Sequence, residues 1–131
     1  MHRRYAILDD NQQTLEMKLD ALRECLPGLI GSRACAAAVI GSVAAGCARD
    51  QSDLDLLVVL RDGEPRRTDY AWWDDTVTPH LQRERRFPVQ PVLIARASVG
   101  TDEPHLRTAL ETAVVLWDPE RLLHDQSEAR A

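Results

Sequence analysis

The chain has 131 residues, 44% of them hydrophobic and 28% charged. That is the balance of one ordinary globular domain, and it excludes a disordered or fibrous chain. The net charge is −5, from 16 basic and 21 acidic residues, which argues against a broad basic surface for direct nucleic-acid binding.

Other features bound the setting. The apolar stretch 34–48 is interrupted by Gly41, Ser42 and Gly46 and is too short to span a bilayer, so no membrane role is expected. Asp9 and Asp10 fall where a signal peptide needs its apolar segment. Cys25, Cys35 and Cys47 have no metal-ligand spacing, and their odd number fits reduced thiols. A cytoplasmic location is the expectation.

The elements follow in chain order. Leu15, Leu19, Leu22 and Leu26 form one apolar helical stripe, which Pro27-Gly28 is expected to end. Residues 34–40 read as a strand or a buried helical turn; Val39-Ile40 and the flanking Gly-Ser pairs favour the strand. Residues 54–60 are the clearest strand, apolar on both faces after Asp55, and should be central in the sheet. Tyr70, Trp73, Val77 and Leu81 recur at helical spacing, with Pro79 either kinking the helix or opening a second one capped by Thr78. On that stripe Trp73 is expected in the core, leaving Trp72 exposed or at a partner interface. Residues 89–95 read as a strand in which Pro91 implies an edge position or a bulge. Leu106, Ala109, Leu110 and Ala113 mark a last helix, and residues 113–117 a last strand stopped by Asp118-Pro119. The tail 126–131 is expected to fray. The fold class expected is a small α/β (α+β) domain spanning residues 1–131, a sheet covered by helices.

One segment carries chemistry. Gly41-Ser42 closes one strand, and ten residues on Ser52-Asp53-Leu54-Asp55 runs into the next. Strand alternation puts Asp53 and Asp55 on one face, where two ionised carboxylates repel until a hard divalent cation joins them. Mg²⁺ takes one or two protein carboxylates and completes its shell with water and phosphate oxygens. The Gly-Ser turn offers backbone N–H groups and a hydroxyl to a triphosphate, and glycine lets the backbone approach. The pattern points to phosphoryl or nucleotidyl transfer, run by positioning and electrostatics.

Gly41-Ser42-Val43-Ala44-Ala45-Gly46, followed by Ser52-Asp53-Leu54-Asp55-Leu56-Leu57-Val58-Val59, resembles the signature of minimal nucleotidyltransferases of the polymerase β superfamily. The gap matches the antitoxin members paired with HEPN-domain toxins. The likeness is close over residues 34–60 and looser to Trp117-Asp118. It implies a nucleotidyltransferase-like fold, a small mixed sheet flanked by helices, and transfer of a nucleoside monophosphate, usually AMP from ATP, to a hydroxyl. In the antitoxin members that hydroxyl is a tyrosine of the toxin. It further implies Asp53 and Asp55 as catalytic metal ligands, Gly41 and Ser42 as the triphosphate cradle, and Mg²⁺ as cofactor.

Two departures stand out. Ala45 occupies a position where the family commonly has arginine, and Gln90 falls about where many members carry a third carboxylate. A neutral amide cannot supply a third charge. Arg49 could replace the missing arginine against phosphate, though loop arginines are usually solvated. Ser52 either orients the aspartates or merely forms the turn. Arg83, Arg85 and Arg86 form a charge run that could meet a triphosphate or complement a helix dipole. The four histidines show no metal spacing, and a third acid could come from Asp74, Asp75 or Glu84.

Two functions from different classes follow. One is an Mg²⁺-dependent transferase acting on a partner protein such as a HEPN-type toxin. The other is an inactive binding module of the same fold that acts by occupying its partner. A homo-oligomer is left open.

Overall fold

The computed structural model describes residues 10–41, 54–81 and 89–124, with side chains from residue 16 onward in the first helix. The expected tail at 126–131 lies outside them. Helix α1 (Asp10–Ile30) is followed by β1 (Ala34–Ile40) and β2 (Leu54–Leu60). Next come α2 (Arg67–Trp72), a π-helical stretch (Trp73–Val77) and α3 (Thr78–His80). Strand β3 (Val89–Ala95), helix α4 (Pro104–Glu111) and β4 (Val114–Trp117) complete the described elements.

The sheet order is β3-β2-β1-β4. Strand β1 runs antiparallel to both β2 and β4, and β2 runs parallel to β3. The sheet is therefore mixed, as the family resemblance implied, and β2 is central because its apolar side chains need cover on both faces. Pro91 sits on an edge strand, and the β2–β3 register passes through it without a shift. An edge is where a residue without an N–H is tolerated.

Period-two alternation divides the core between the two faces. Leu54, Leu56, Val58 and Leu60 point to one face, where they meet Leu22, Leu26 and Ile30 of α1 together with Trp73, Val77 and Leu81. Leu57 and Val59 point to the other, under Leu106 and Leu110 of α4 and Leu123. A bulge between Ala34 and Ala36 places Cys35 and Ala36 together on this second face. Each fully buried leucine or isoleucine contributes about 1.5–3 kcal/mol of transfer free energy, so the two faces hold the fold together.

Two local expectations need correction. Helix α1 does not stop at Pro27-Gly28 but continues to Ile30, which is completely buried. Ile30 extends the stripe by one more turn, and burial of that side chain outweighs the proline's penalty. The turn after it requires Gly31, whose N–H bonds the Pro27 carbonyl at 3.1 Å. A Cβ on Gly31 would lie 2.5 Å from that oxygen.

Of the two readings left open at Pro79, a kink or a cap at Thr78, the cap does not hold. Val77 and Thr78 both keep right-handed helical dihedrals, and the Thr78 N–H bonds the Trp73 carbonyl, five residues back. The wider π turn carries the chain into Pro79 without a break. Trp73 is in the core as expected. Trp72 is half-buried: it stacks edge-on against Trp73 at 6.1 Å, and the Arg33 guanidinium lies 5.4 Å from its centroid.

Two buried carboxylates fasten the ends of the domain. The Asp69 side chain, 7% exposed, accepts from the Arg66 backbone N–H at 2.9 Å and from the Arg33 guanidinium at 3.1 Å. It ties the start of α2 to the turn before β1. Asp118 is fully enclosed and accepts the backbone N–H groups of Leu122, Leu123 and His124, each at 2.9 Å. It holds the helical turn that seats Leu123 beneath the second face.

Candidate active site

The site begins at the end of β1 and the start of β2, where the antiparallel pair opens. Ile40 is the register partner of Asp55. By alternation with Leu57 and Val59, Asp55 points to the second face, and it is half-buried while the rest of β2 is buried. Gly41 follows Ile40 with φ +79°, a left-handed conformation that side chains disfavour. A Cβ there would lie 2.6 Å from Asp55 Oδ2 and 3.4 Å from its Cγ. Glycine is required twice, for its dihedral and for the close approach. The result is a carboxylate lying directly against exposed-type turn backbone.

On its other side Asp55 pairs in parallel register with Gln90, the second residue of β3, which is exposed. In-register neighbours on parallel strands share a face, so the amide stands beside the carboxylate. Val92 follows on that face, paired with Leu57 and 39% exposed.

Of the residues the sequence singled out, the fold brings Gly41, Asp55 and Gln90 together. Ser42, Ala45, Arg49, Ser52 and Asp53 lie outside the described residues, as do Glu84 and the arginine run 83–86. Asp74 and Asp75 are exposed on the π-helical stretch, whose buried side chains Trp73 and Val77 pack on the opposite face of the sheet. They do not serve as a third acid at Asp55.

The donors present fit a hard cation. Asp55 supplies an anionic oxygen and Gln90 a neutral one, and the space beside Gly41 is one that any Cβ would fill. Among the described residues no group of three histidine, cysteine or acidic side chains is placed to hold a metal ion. A magnesium ion at Asp55 would draw its remaining ligands from water and phosphate, as Mg²⁺ ordinarily does.

A separate cavity of about 550 Å³ lies past the far ends of β2 and β3, lined by Arg61, Glu64, Arg96 and Leu122 among others. It is roughly 20 Å along the strand from Asp55. Its arginines are engaged in structure: Arg61 Nε donates to the Gly31 carbonyl at 2.8 Å, and Arg96 pairs with Glu120. Burial pushes the nearby Cys35 thiol up, with Arg96 partly opposing. Sequence reasoning did not anticipate the Asp69 and Asp118 anchors. The spacing of Asp69 three residues after Arg66, at the start of a helix, was the available signal for the first.

The fold thus presses a glycine turn against an aspartate at the mouth of a central strand, in a mixed sheet covered by helices. A family profile described as "Nucleotidyltransferase domain" matches residues 22–96, more than half of the chain. The chain belongs to the nucleotidyltransferase domain family. The match takes in β1, β2, β3 and the site between them.

Among solved structures, the chain is similar to a candidate nucleotidyltransferase from Sulfolobus solfataricus, with 20% identity, TM-score 0.53, and 92% of this chain and 93% of that one covered. That likeness establishes the fold. It also aligns with a toxin–antitoxin crystallised with AMP-PNP, at 18% identity and TM-score 0.49, covering 93% of this chain and 83% of that one. A toxin–antitoxin MntA-HepT structure aligns at 14% identity and TM-score 0.45, covering 90% and 81%. No curated protein gives a match. Among the described residues, no helix is long and apolar enough to cross a membrane.

Proposed function

We propose that this chain is an Mg²⁺-dependent nucleotidyltransferase that moves a nucleoside monophosphate, AMP from ATP, onto a hydroxyl of a partner protein. The observation that carries the reading is the contact between Gly41 and Asp55, where a Cβ would come within 2.6 Å of the carboxylate. Only glycine lets the turn backbone approach the carboxylate this closely, so that the same backbone can approach a phosphate bound at the strand mouth.

In this reading Asp53 and Asp55 hold the cation, and the backbone of Gly41 with the hydroxyl of Ser42 receives the outer phosphates. Ser52 orients the aspartates and Arg49 meets phosphate charge. The cation supplies charge neutralisation at the α-phosphate. The protein's own part is to fix the carboxylate at the strand mouth and to present the turn backbone to the triphosphate. The whole chain, residues 1–131, acts as one domain in the cytoplasm. The acceptor is a co-encoded HEPN-type toxin, as the resemblance to the antitoxin members implies.

A second reading has its own observation. Gln90, beside Asp55, is neutral. A chain so built could bind nucleotide and occupy its partner without turnover.

The test uses α-labelled ATP, Mg²⁺ and the co-encoded partner, with nucleotide binding followed in parallel by calorimetry. Asp55→Asn and Asp53→Asn should abolish labelling. Each should also weaken Mg²⁺-nucleotide binding at least about tenfold, since loss of even an indirect metal support costs that much. Labelling by Asp55→Asn equal to wild type would remove the proposed role. Partner binding that is untouched by both changes, with no transfer product, would favour the binding module.

A further inference from the structure

The two sides of Asp55 differ in charge capacity. On the β1 side lie Ile40 and the backbone of Gly41. On the β3 side its register partner is Gln90, exposed and uncharged, followed on the same face by apolar Val92. Neighbouring strands are about 4.8 Å apart, so this is the one side-chain position on β3 that stands directly beside the carboxylate.

That position decides how many cations the site can hold. Two dications at the spacing used in two-metal sites, roughly 3.5–4 Å, repel about four times as strongly as two unit charges. They persist only where anionic donors flank and bridge them. An amide oxygen can complete one cation's shell but contributes no charge to offset a second. Among the described residues, the strand neighbours of Asp55, namely Ile40, Gly41 and Gln90, carry no charge. Asp74 and Asp75 belong to the helix packed on the other face.

Resting on the nucleotidyltransferase reading of this site, we infer that the chain holds a single divalent cation with its nucleotide, and that Gln90 is the residue that sets this number. The amide keeps the β3 side of Asp55 neutral.

The inference is tested on the full chain with Mn²⁺ as the probe and α,β-methylene-ATP as a non-transferable nucleotide, counting bound Mn²⁺ by electron paramagnetic resonance. Wild type should saturate at one Mn²⁺ per chain. Gln90→Glu should add a second, binding at least tenfold more tightly than any further Mn²⁺ on wild type. Gln90→Ala should stay at one Mn²⁺ per chain. Gln90 is exposed on an edge strand, so circular dichroism and melting of the variants should match wild type.

Two tight Mn²⁺ ions on wild type would overturn the inference, because other groups would then supply the missing charge. A count of one for Gln90→Glu would also overturn it, because the β3 side would not face the cation. If wild type binds no nucleotide-dependent Mn²⁺, or if Asp55→Asn leaves that binding unchanged, the transferase reading itself fails and this inference goes with it.

Discussion

Replacing Gly41 with alanine tests the site and the fold in one step. The residue sits at φ +79°, where an L side chain costs roughly 1–2 kcal/mol. Its new Cβ would start 2.6 Å from Asp55 Oδ2, and ordinary contact begins near 3.4 Å, so the carboxylate must retreat by about 0.8 Å. Pushing Asp55 off its rotamer adds about 0.5–1.5 kcal/mol. Together these give a destabilisation of roughly 1.5–3.5 kcal/mol. A chain of this length unfolds with about 0.28 kcal/mol per degree of entropy at the midpoint, so Tm should fall by about 5–13 °C.

The two contributions separate in a double-mutant cycle. Asp55→Ala removes the carboxylate that the new methyl would strike, and its own Cβ, at 3.5 Å, is in ordinary contact. Gly41→Ala should then cost only the dihedral strain, leaving a coupling of about 0.5–1.5 kcal/mol between the two positions. Thermal melts and urea titrations of the four proteins measure it. Calorimetry should find Mg²⁺-nucleotide binding by Gly41→Ala weakened at least about tenfold, because a cation ligand has moved. A Tm within about 1 °C of wild type would refute both the strained turn and the contact, and additivity of the two changes would refute the contact.

Two further outcomes concern the scaffold. Asp69→Ala should destabilise the domain by about 1–3 kcal/mol in urea, because the Arg66 N–H and the Arg33 guanidinium lose a buried acceptor; an unchanged midpoint would show that this link carries no stability. Glu103, capping α4, has its carboxyl held below the usual carboxylate range by the backbone N–H of Leu106 and then that of His105. Its stabilisation is complete above the unfolded value near pH ~4.3 and is lost as pH falls through the lower folded value. The Tm difference between wild type and Glu103→Ala should therefore be constant from neutral pH to about pH 5 and shrink in stronger acid; a difference that does not change with pH would count against the cap.

Much of the architecture was legible because burial has a period. The two-sided apolar run 54–60 announced a central strand, and Pro91 announced an edge or a bulge, of which the structure has the edge. The element order came from the same reading. Local breakers misled where packing outweighed them. Pro27 did not end α1, since Ile30 gained complete burial one turn later, and Pro79 was absorbed by a π turn that no propensity announces. Asp74 and Asp75 looked available as acids until the helix carrying them was seen to pack on the far face.

What the sequence determined by itself was the inventory of the site: a glycine that permits a left-handed turn, an aspartate at the mouth of an apolar strand, and a glutamine where charge was expected. These are properties of single residues and their nearest neighbours along the chain. Only the tertiary structure decided that Gly41 and Asp55 touch, and that Gln90 stands beside them. Those contacts cross 14 and 35 residues of sequence and depend on strand register, which the packing of both sheet faces sets as a whole.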